Sequence, residues 1–167
     1  MTDPSKEETG DTRKKAVIFV ISDKFENLFA AYSVAISAAS SNIDVKMMFA
    51  FWGLRALKKN VSTGDSLFAS MLGMLEHGDI SKASPGKHQF LGLGRWMLKK
   101  MMKSKNICDL TELRRTALEV GVQMYSCETS MAVMEIPREK LIDEVAGVAG
   151  AGWLVEQSSQ SDFTYSF

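Results

Sequence analysis

Six consecutive apolar residues, Ala16-Val-Ile-Phe-Val-Ile21, constrain this chain more than any other feature. A strand with one wet face alternates apolar and polar residues; an unbroken apolar run of this length belongs to a strand buried on both faces. A second apolar strand, Val45 to Phe51 with Lys46 inside it, follows after one helix length and stops at Gly53. Between them Phe25, Leu28, Phe29, Tyr32, Ile36 and Ala39 recur at helical spacing through about Ser41, and Asp23 with Glu26 is placed to form a capping box at the helix start. Strand, helix, strand with doubly apolar strands is a parallel βαβ unit, right-handed by default. The expected fold is therefore α/β, three layers α/β/α around a mainly parallel sheet.

The later sequence extends the pattern. Asp109 with Glu112 caps a further helix, with Leu110, Leu113, Ala117 and Val120 on one side, and Gly121 stands where a helix C-terminus calls for glycine. Val122 to Ser126 reads as a third strand and is followed by Cys127 and a short helical stretch to Met134. Pro137 suits the first position of another helix, Arg138 to about Val145. Residues 147–160 are rich in small side chains, with Val148, Leu154, Val155 and Ser158 at helical spacing. Phe163 to Phe167 alternates with period two, a last strand within 162–167. The expected strands are thus 16–21, 45–51, 122–126 and 162–167.

Two segments stand apart. Residues 1–14 carry many charges and no aromatic or β-branched aliphatic residue, and read as a disordered tail with no secretory signal. Residues 15–167 then form one domain with an insertion at about 62–106. The chain as a whole is neutral, with 20 basic and 20 acidic residues, but Ile80 to Ile107 holds Lys82, Lys87, Arg95, Lys99, Lys100, Lys103 and Lys105 and no acid. Five of the eleven methionines fall between Met71 and Met102. A basic, Met-rich stretch suits either an adaptable contact surface or a helix pair that solvates its lysines on one face. Leu91, Leu93, Trp96, Met97, Met101 and Met102 would together form an apolar patch, which points to a homo-oligomer.

Chemistry in such a sheet gathers beyond the carboxyl ends of the strands. The readable ends are Ser22-Asp23, Phe51-Trp52-Gly53 and Ser126-Cys127-Glu128, and only the last offers a nucleophile. Cys127 at a strand-to-helix turn faces free helix amides, which favour a thiolate, although a lone cysteine is more often an inert core residue. The other cysteine, Cys108, precedes a helix of ~16–18 Å that leads into a strand of similar length running the other way, so Cys108 and Cys127 belong to the same edge of the sheet. A second thiol at that edge suits a sulfur relay. His77, His88, Cys108 and Cys127 lack the short ligand spacings of a zinc site, so no metal is expected. Gly147, Gly150 and Gly152 do not follow the order of a phosphate loop and are better suited to close helix packing; no cofactor is expected.

Ala50-Phe-Trp-Gly-Leu54, the segment Gly121-Val-Gln-Met-Tyr-Ser-Cys127-Glu-Thr-Ser-Met131, the run Trp96 to Met102 and the C-terminal run from Leu141 together resemble the DsrE-like (DsrE/DsrF/DsrH) sulfur-relay family over about residues 15–167. The resemblance implies a compact α/β domain of flavodoxin-like or Rossmann-like topology that oligomerises in the cytoplasm. It further implies a persulfide on the matching cysteine, Cys127, and exchange of sulfur with small TusA-like carriers or rhodanese-type sulfurtransferases. Ser126 replaces the usual small alanine before the cysteine, and Glu128 sets a negative charge beside the thiol. A different class of function, a non-catalytic oligomeric module that docks an acidic partner or a membrane surface through the basic insertion, would be salt-sensitive and indifferent to Cys127. Nucleic acid is not an expected partner of a neutral chain with few interleaved aromatics, and no apolar run approaches the ~20 residues of a membrane span.

Overall fold

A computed structural model describes residues 13–59, 100 and 108–167. Five strands form one sheet: β1 (Lys15–Val20), β2 (Asp44–Phe49), β3 (Gln123–Cys127), β4 (Gly147–Ala149) and β5 (Phe163–Ser166), in the spatial order β4-β3-β2-β1-β5. All pairings are parallel. The helices are α1 (Phe25–Ser40), α2 (Leu110–Glu119), α3 (Glu128–Val133) and α4 (Ala151–Ser159), with 3-10 turns at Phe51–Leu57 and Arg138–Lys140. Most of the expected tail and all but Lys100 of the expected insertion lie outside the described residues, as do His77, His88 and the apolar residues of the insertion.

The doubly apolar runs behave as their sequence requires. In register, Ala16, Ile18 and Val20 of β1, Val45, Met47 and Phe49 of β2 and Met124 of β3 project to one face, where α1 and α2 cover them. Helix α1 buries Leu28, Ala31, Tyr32 and Ala35, a stripe at i, i+3, i+4 and i+7. Met48, Ala50, Tyr125, Cys127 and Ala149 project to the other face, under Trp153 and Leu154 of α4. Two faces covered by helices make the three-layer fold.

The connections then follow from handedness. Steps from β1 to β4 move one way across the sheet, with α1, α2 and the Met131–Met134 end of α3 packed on one face. The step from β4 to β5 returns to the far edge, and a right-handed return needs its helix on the opposite face. Helix α4 is there.

Several boundaries differ from expectation. Strand β2 ends at Phe49, and Phe51 opens a 3-10 turn rather than closing a strand. Asp23 does not cap α1: Lys24 is the N-cap residue without a side-chain cap, and the Asp23 carboxylate is held by Arg55 at 2.8 Å. The helix expected over 138–145 is a single 3-10 turn. Leu141 and Ile142 bury their side chains, and past the turn the backbone bonds to the chain at 57–59 rather than continuing a helical ladder: Ile142 N–H donates to Leu57 C=O at 2.8 Å, Lys59 N–H to Lys140 C=O at 2.8 Å. Residues 147–160 are not one helix, because 147–149 pair with β3 as the short edge strand β4 before α4 begins. The packing reason offered for three glycines holds for Gly147 alone, which meets the Tyr125 ring; nothing lies within 4 Å of a side chain at Gly150 or Gly152.

The capping box at α2 forms in full: Asp109 Oδ1 accepts from the N–H groups of Thr111 and Glu112, and Glu112 Oε2 accepts from Asp109 N–H. Asp109→Ala is expected to lower stability by ~1 kcal/mol, read as the shift of a urea midpoint. The Tyr32 hydroxyl is fully buried and has no hydrogen-bond partner among the described residues; burial pushes its pKa far up. Removing an unpartnered buried hydroxyl relieves a desolvation penalty. Tyr32→Phe is expected to leave stability unchanged or to raise it by ~1 kcal/mol in the same assay, and a loss of that size would show that the hydroxyl has a partner.

Candidate functional site

Cys127 closes β3 and is at the same time the N-cap residue of α3. Its backbone is therefore fixed by sheet pairing on one side and by helix geometry on the other; it pairs with Ala149 of β4. The chain leaving β3 enters α3, whose end packs on the α1 side, while the chain leaving β4 enters α4 on the other face. The carboxyl ends of β3 and β4 are thus a topological switch point, the place where open α/β sheets leave a crevice. Cys127 sits at that crevice with 9% of its surface exposed.

Its surroundings are apolar. The thiol belongs to the cluster of Met48, Ala50 and Ala149, flanked by Phe19, Tyr125, Trp153 and Leu154, and the Tyr125 and Trp153 rings stand 4.3 Å apart. Ser126, whose side chain points the other way, is fully buried, and its hydroxyl donates to Gly147 C=O at 3.4 Å, tying β3 to β4. Glu128 is exposed in the first turn of α3. Both cysteines are free thiols.

Cys108 is exposed and leads into α2, which packs against α1. It therefore stands at the carboxyl edge, where the run of α2 back to β3 requires it, but on the side opposite to the face that holds Cys127. Cys108 is not part of the apolar cluster around Cys127. Among the described residues no group of His, Cys, Asp and Glu is arranged to hold a metal ion.

The second strand end contributes more than its sequence revealed. The 3-10 turn Phe51–Leu57 folds directly over the end of β1: Ala50 N–H donates to Val20 C=O at 2.9 Å and Gly53 N–H to Ile21 C=O at 3.1 Å. At Gly53 a β-carbon would sit 2.8 Å from the Val20 carbonyl carbon and closer still to its oxygen. Only glycine allows that approach. To enter the turn Phe51 takes φ 46°, a left-handed conformation that is an outlier for a bulky residue. Its N–H is received by Ser130 Oγ at 2.9 Å, and Ser130 is fully buried in α3. Ser130 and the strain at Phe51 went unread in the sequence, where a serine three residues past a cysteine carries no signal by itself.

The turn is braced by charge as well. Arg55 bonds Asp23, and Arg114 of α2 donates to Ala56 C=O at 2.7 Å. The turn ends at Lys58, a buried lysine whose pKa is lowered, first by burial and then by repulsion from Arg55 and Lys140. Beyond it Lys59 bonds Asp143 at 2.6 Å, and that hydrogen bond with the lysine charge lowers the Asp143 pKa.

Residues 12–165 match the DsrE/DsrF/DrsH-like family. The chain belongs to this family. The uncharacterized protein YrkE of Bacillus subtilis is 30% identical over 140 residues, covering 81% of this chain and 88% of that one. The sulfur carrier protein DsrE2 of Allochromatium vinosum is 26% identical over 167 residues, covering 90% of this chain and 96% of its own length. Among solved structures, the ychN protein of E. coli shares the fold with a TM-score of 0.58 at 15% identity, covering 92% of this chain and 99% of that one. Protein MTH1491 of Methanobacterium thermoautotrophicum has a TM-score of 0.50 at 12% identity, covering 91% of this chain and 98% of that one. The family resemblance read from Ala50–Leu54 and Gly121–Met131 is thereby borne out, as is the parallel α/β fold.

Gly53→Ala is expected to destabilise the turn by ~2–3 kcal/mol, since the neighbouring Val20 carbonyl is backbone and cannot swing aside. Urea unfolding monitored by far-UV circular dichroism measures it, and a loss under 0.5 kcal/mol, roughly the spread of an ordinary surface change, would show that the turn yields.

Proposed function

We propose that the chain is a cytoplasmic sulfur carrier, a sulfurtransferase in the sense that Cys127 accepts sulfane sulfur, holds it as a persulfide and passes it to a partner thiol. The observation that carries the reading is the position of Cys127: a free thiol at the switch-point crevice, in a chain of the DsrE/DsrF/DrsH-like family. The 26% identity with a protein named as a sulfur carrier supports it, and so do two free cysteines, which suit a reducing compartment.

The transfer balances as follows. Cys127 gives its proton to water, and the thiolate attacks the outer sulfur of a donor persulfide. The donor S–S bond breaks, a new S–S bond to Cys127 Sγ forms, and the donor leaves as a thiolate that takes up a proton. Onward transfer repeats these events with Cys127 as the leaving group. The apolar walls of Met48, Ala149 and Trp153 keep bulk water from the bound sulfur. Small TusA-like carriers and rhodanese-type sulfurtransferases are the proposed exchange partners. Exposed Val133 and Val155, together with the β5 edge bearing Phe163 and Tyr165, support self-association into a homo-oligomer. Cys108 is the proposed second thiol, acting after loading rather than in it, because α2 lies on the other side of the sheet.

The purely docking alternative rests on the basic insertion, which apart from Lys100 lies outside the described residues. No helix among the described residues is long and apolar enough to cross a membrane.

Incubation with polysulfide is expected to add 32 Da, the mass of one sulfur atom, to the peptide holding Cys127. Cys127→Ser should fold as the parent does and take up no sulfur, while Cys108→Ser should still load. Peptide-resolved mass spectrometry decides it: an adduct that persists in Cys127→Ser and disappears in Cys108→Ser reverses the assignment, and a parent that never loads removes the carrier reading.

A further inference from the structure

Phe51 combines two features that ordinarily exclude each other. A bulky residue with φ 46° carries ~1–2 kcal/mol of backbone strain, which persists only where surrounding structure imposes it. Burial of the ring would offset that cost, yet Phe51 is 52% exposed, and its neighbour Trp52 is 42% exposed. The backbone of this turn is held on both sides. Gly53 is pressed against the Val20 carbonyl, and the Phe51 N–H is held by the buried Ser130 hydroxyl. The fold thus spends rigidity on presenting two aromatic rings to solvent.

Their place is specific. Phe49 pairs with Ser126, so Ala50 stands opposite Cys127 in the same apolar cluster, and Phe51 follows directly with its N–H bonded to α3. Ser130, which fixes Phe51, lies three residues beyond Cys127. Exposed Ile21, bonded through its carbonyl to Gly53, extends the apolar strip along the end of β1. At the Cys127 end of the strip stands the exposed acid Glu128. An aromatic strip ending in an acid repels small anions such as polysulfide and suits an apolar segment with a basic residue.

We infer that Phe51 and Trp52 form a docking lip that admits sulfur carried on the cysteine of another protein, within an apolar, basic segment, in preference to inorganic sulfane anions, and that Ser130 is the positioning residue that holds the lip in place. This rests on the carrier reading above. The sulfur step is the one already balanced there; the lip selects the donor.

The test compares two donors with the full-length protein: a synthetic nonapeptide of leucine, valine and lysine carrying one central cysteine persulfide, and sodium tetrasulfide. The parent is expected to load at lower concentration of the peptide. Phe51→Ala with Trp52→Ala should reduce the peptide-to-tetrasulfide preference about tenfold, the scale of losing aromatic anchors at an interface. Ser130→Ala should reduce it in the same direction by raising the KM for the peptide while the maximal loading rate holds. A purely structural role would instead lower the maximal rate with the folded fraction and leave KM unmoved. Phe51→Gly, in which glycine takes the left-handed backbone unaided, keeps Trp52 in place and should give an intermediate loss. The proposal is overturned if both donors slow in parallel in the lip variants, or if Ser130→Ala changes the maximal rate alone. If the parent loads from neither donor, the carrier reading fails, and calorimetry with the unpersulfidated peptide on Cys127→Ser then judges the lip by itself: binding that disappears with Phe51→Ala and Trp52→Ala supports it, and no binding to either overturns it.

Discussion

Parallel pairing of three central strands, each packed on both faces, sets the terms for everything else in this molecule. Once β1, β2 and β3 lie side by side, neither face of the sheet tolerates water, so helices must cover both. Covering both faces with right-handed connections forces the chain to reverse direction once. The reversal comes after β4, so the helices leaving β3 and β4 lie on opposite faces, and the crevice between those two strand ends is where Cys127 stands. The position of the thiol is thus a consequence of topology before it is a matter of local chemistry.

The legible parts of the fold were those where one pattern had no competitor. Ala16–Ile21 and Val45–Phe49 admit little besides buried strands, and Asp109 with Glu112 formed its capping box because nothing else among the described residues reaches for Asp109. Asp23 had the same local pattern and failed, because Arg55, 32 residues away in sequence, offered its carboxylate a charged partner at 2.8 Å. Local spacing cannot register such a rival. Leu141 and Ile142 were misread for a related reason: their burial and backbone partners at Leu57 and Lys59 come from a distant segment. Strand β4 has three residues, Gly147-Val-Ala149, of which two are small, so its identity depends wholly on pairing with Tyr125, Ser126 and Cys127.

The candidate site divides in the same way. Cys127 was visible because a cysteine after a buried strand is a local fact, and the fold places it where strand and helix both constrain its backbone. The relation between Cys108 and Cys127 was half visible: a common edge follows from counting residues along α2 and β3, but opposite faces follow only from which side α2 packs on. The part of the site built by Gly53, Phe51 and Ser130 could not be read, since a positive φ and a hydrogen bond across 79 residues leave no periodic trace. The FWGL segment was recognisable as a family resemblance, while its physical reason, a glycine against the Val20 carbonyl, emerged only in three dimensions.

The first and last strands of the sheet are also immediate neighbours. Lys15 N–H bonds the Asp162 carboxylate, and Ala16 to Phe19 pair with Phe163 to Ser166, a separation of 147 residues along the chain at the first of these bonds. During synthesis β1 leaves the ribosome well before β5, the strand that closes its open edge. Over that interval β1 carries a bare row of backbone donors and acceptors on this edge, the template on which unwanted strand pairing grows. A chain cut short before residue 163 would retain the core of β1, β2 and β3 with that edge uncovered. Residues 163–166, all exposed and making little core, serve the fold chiefly as the cover that ends this vulnerable interval.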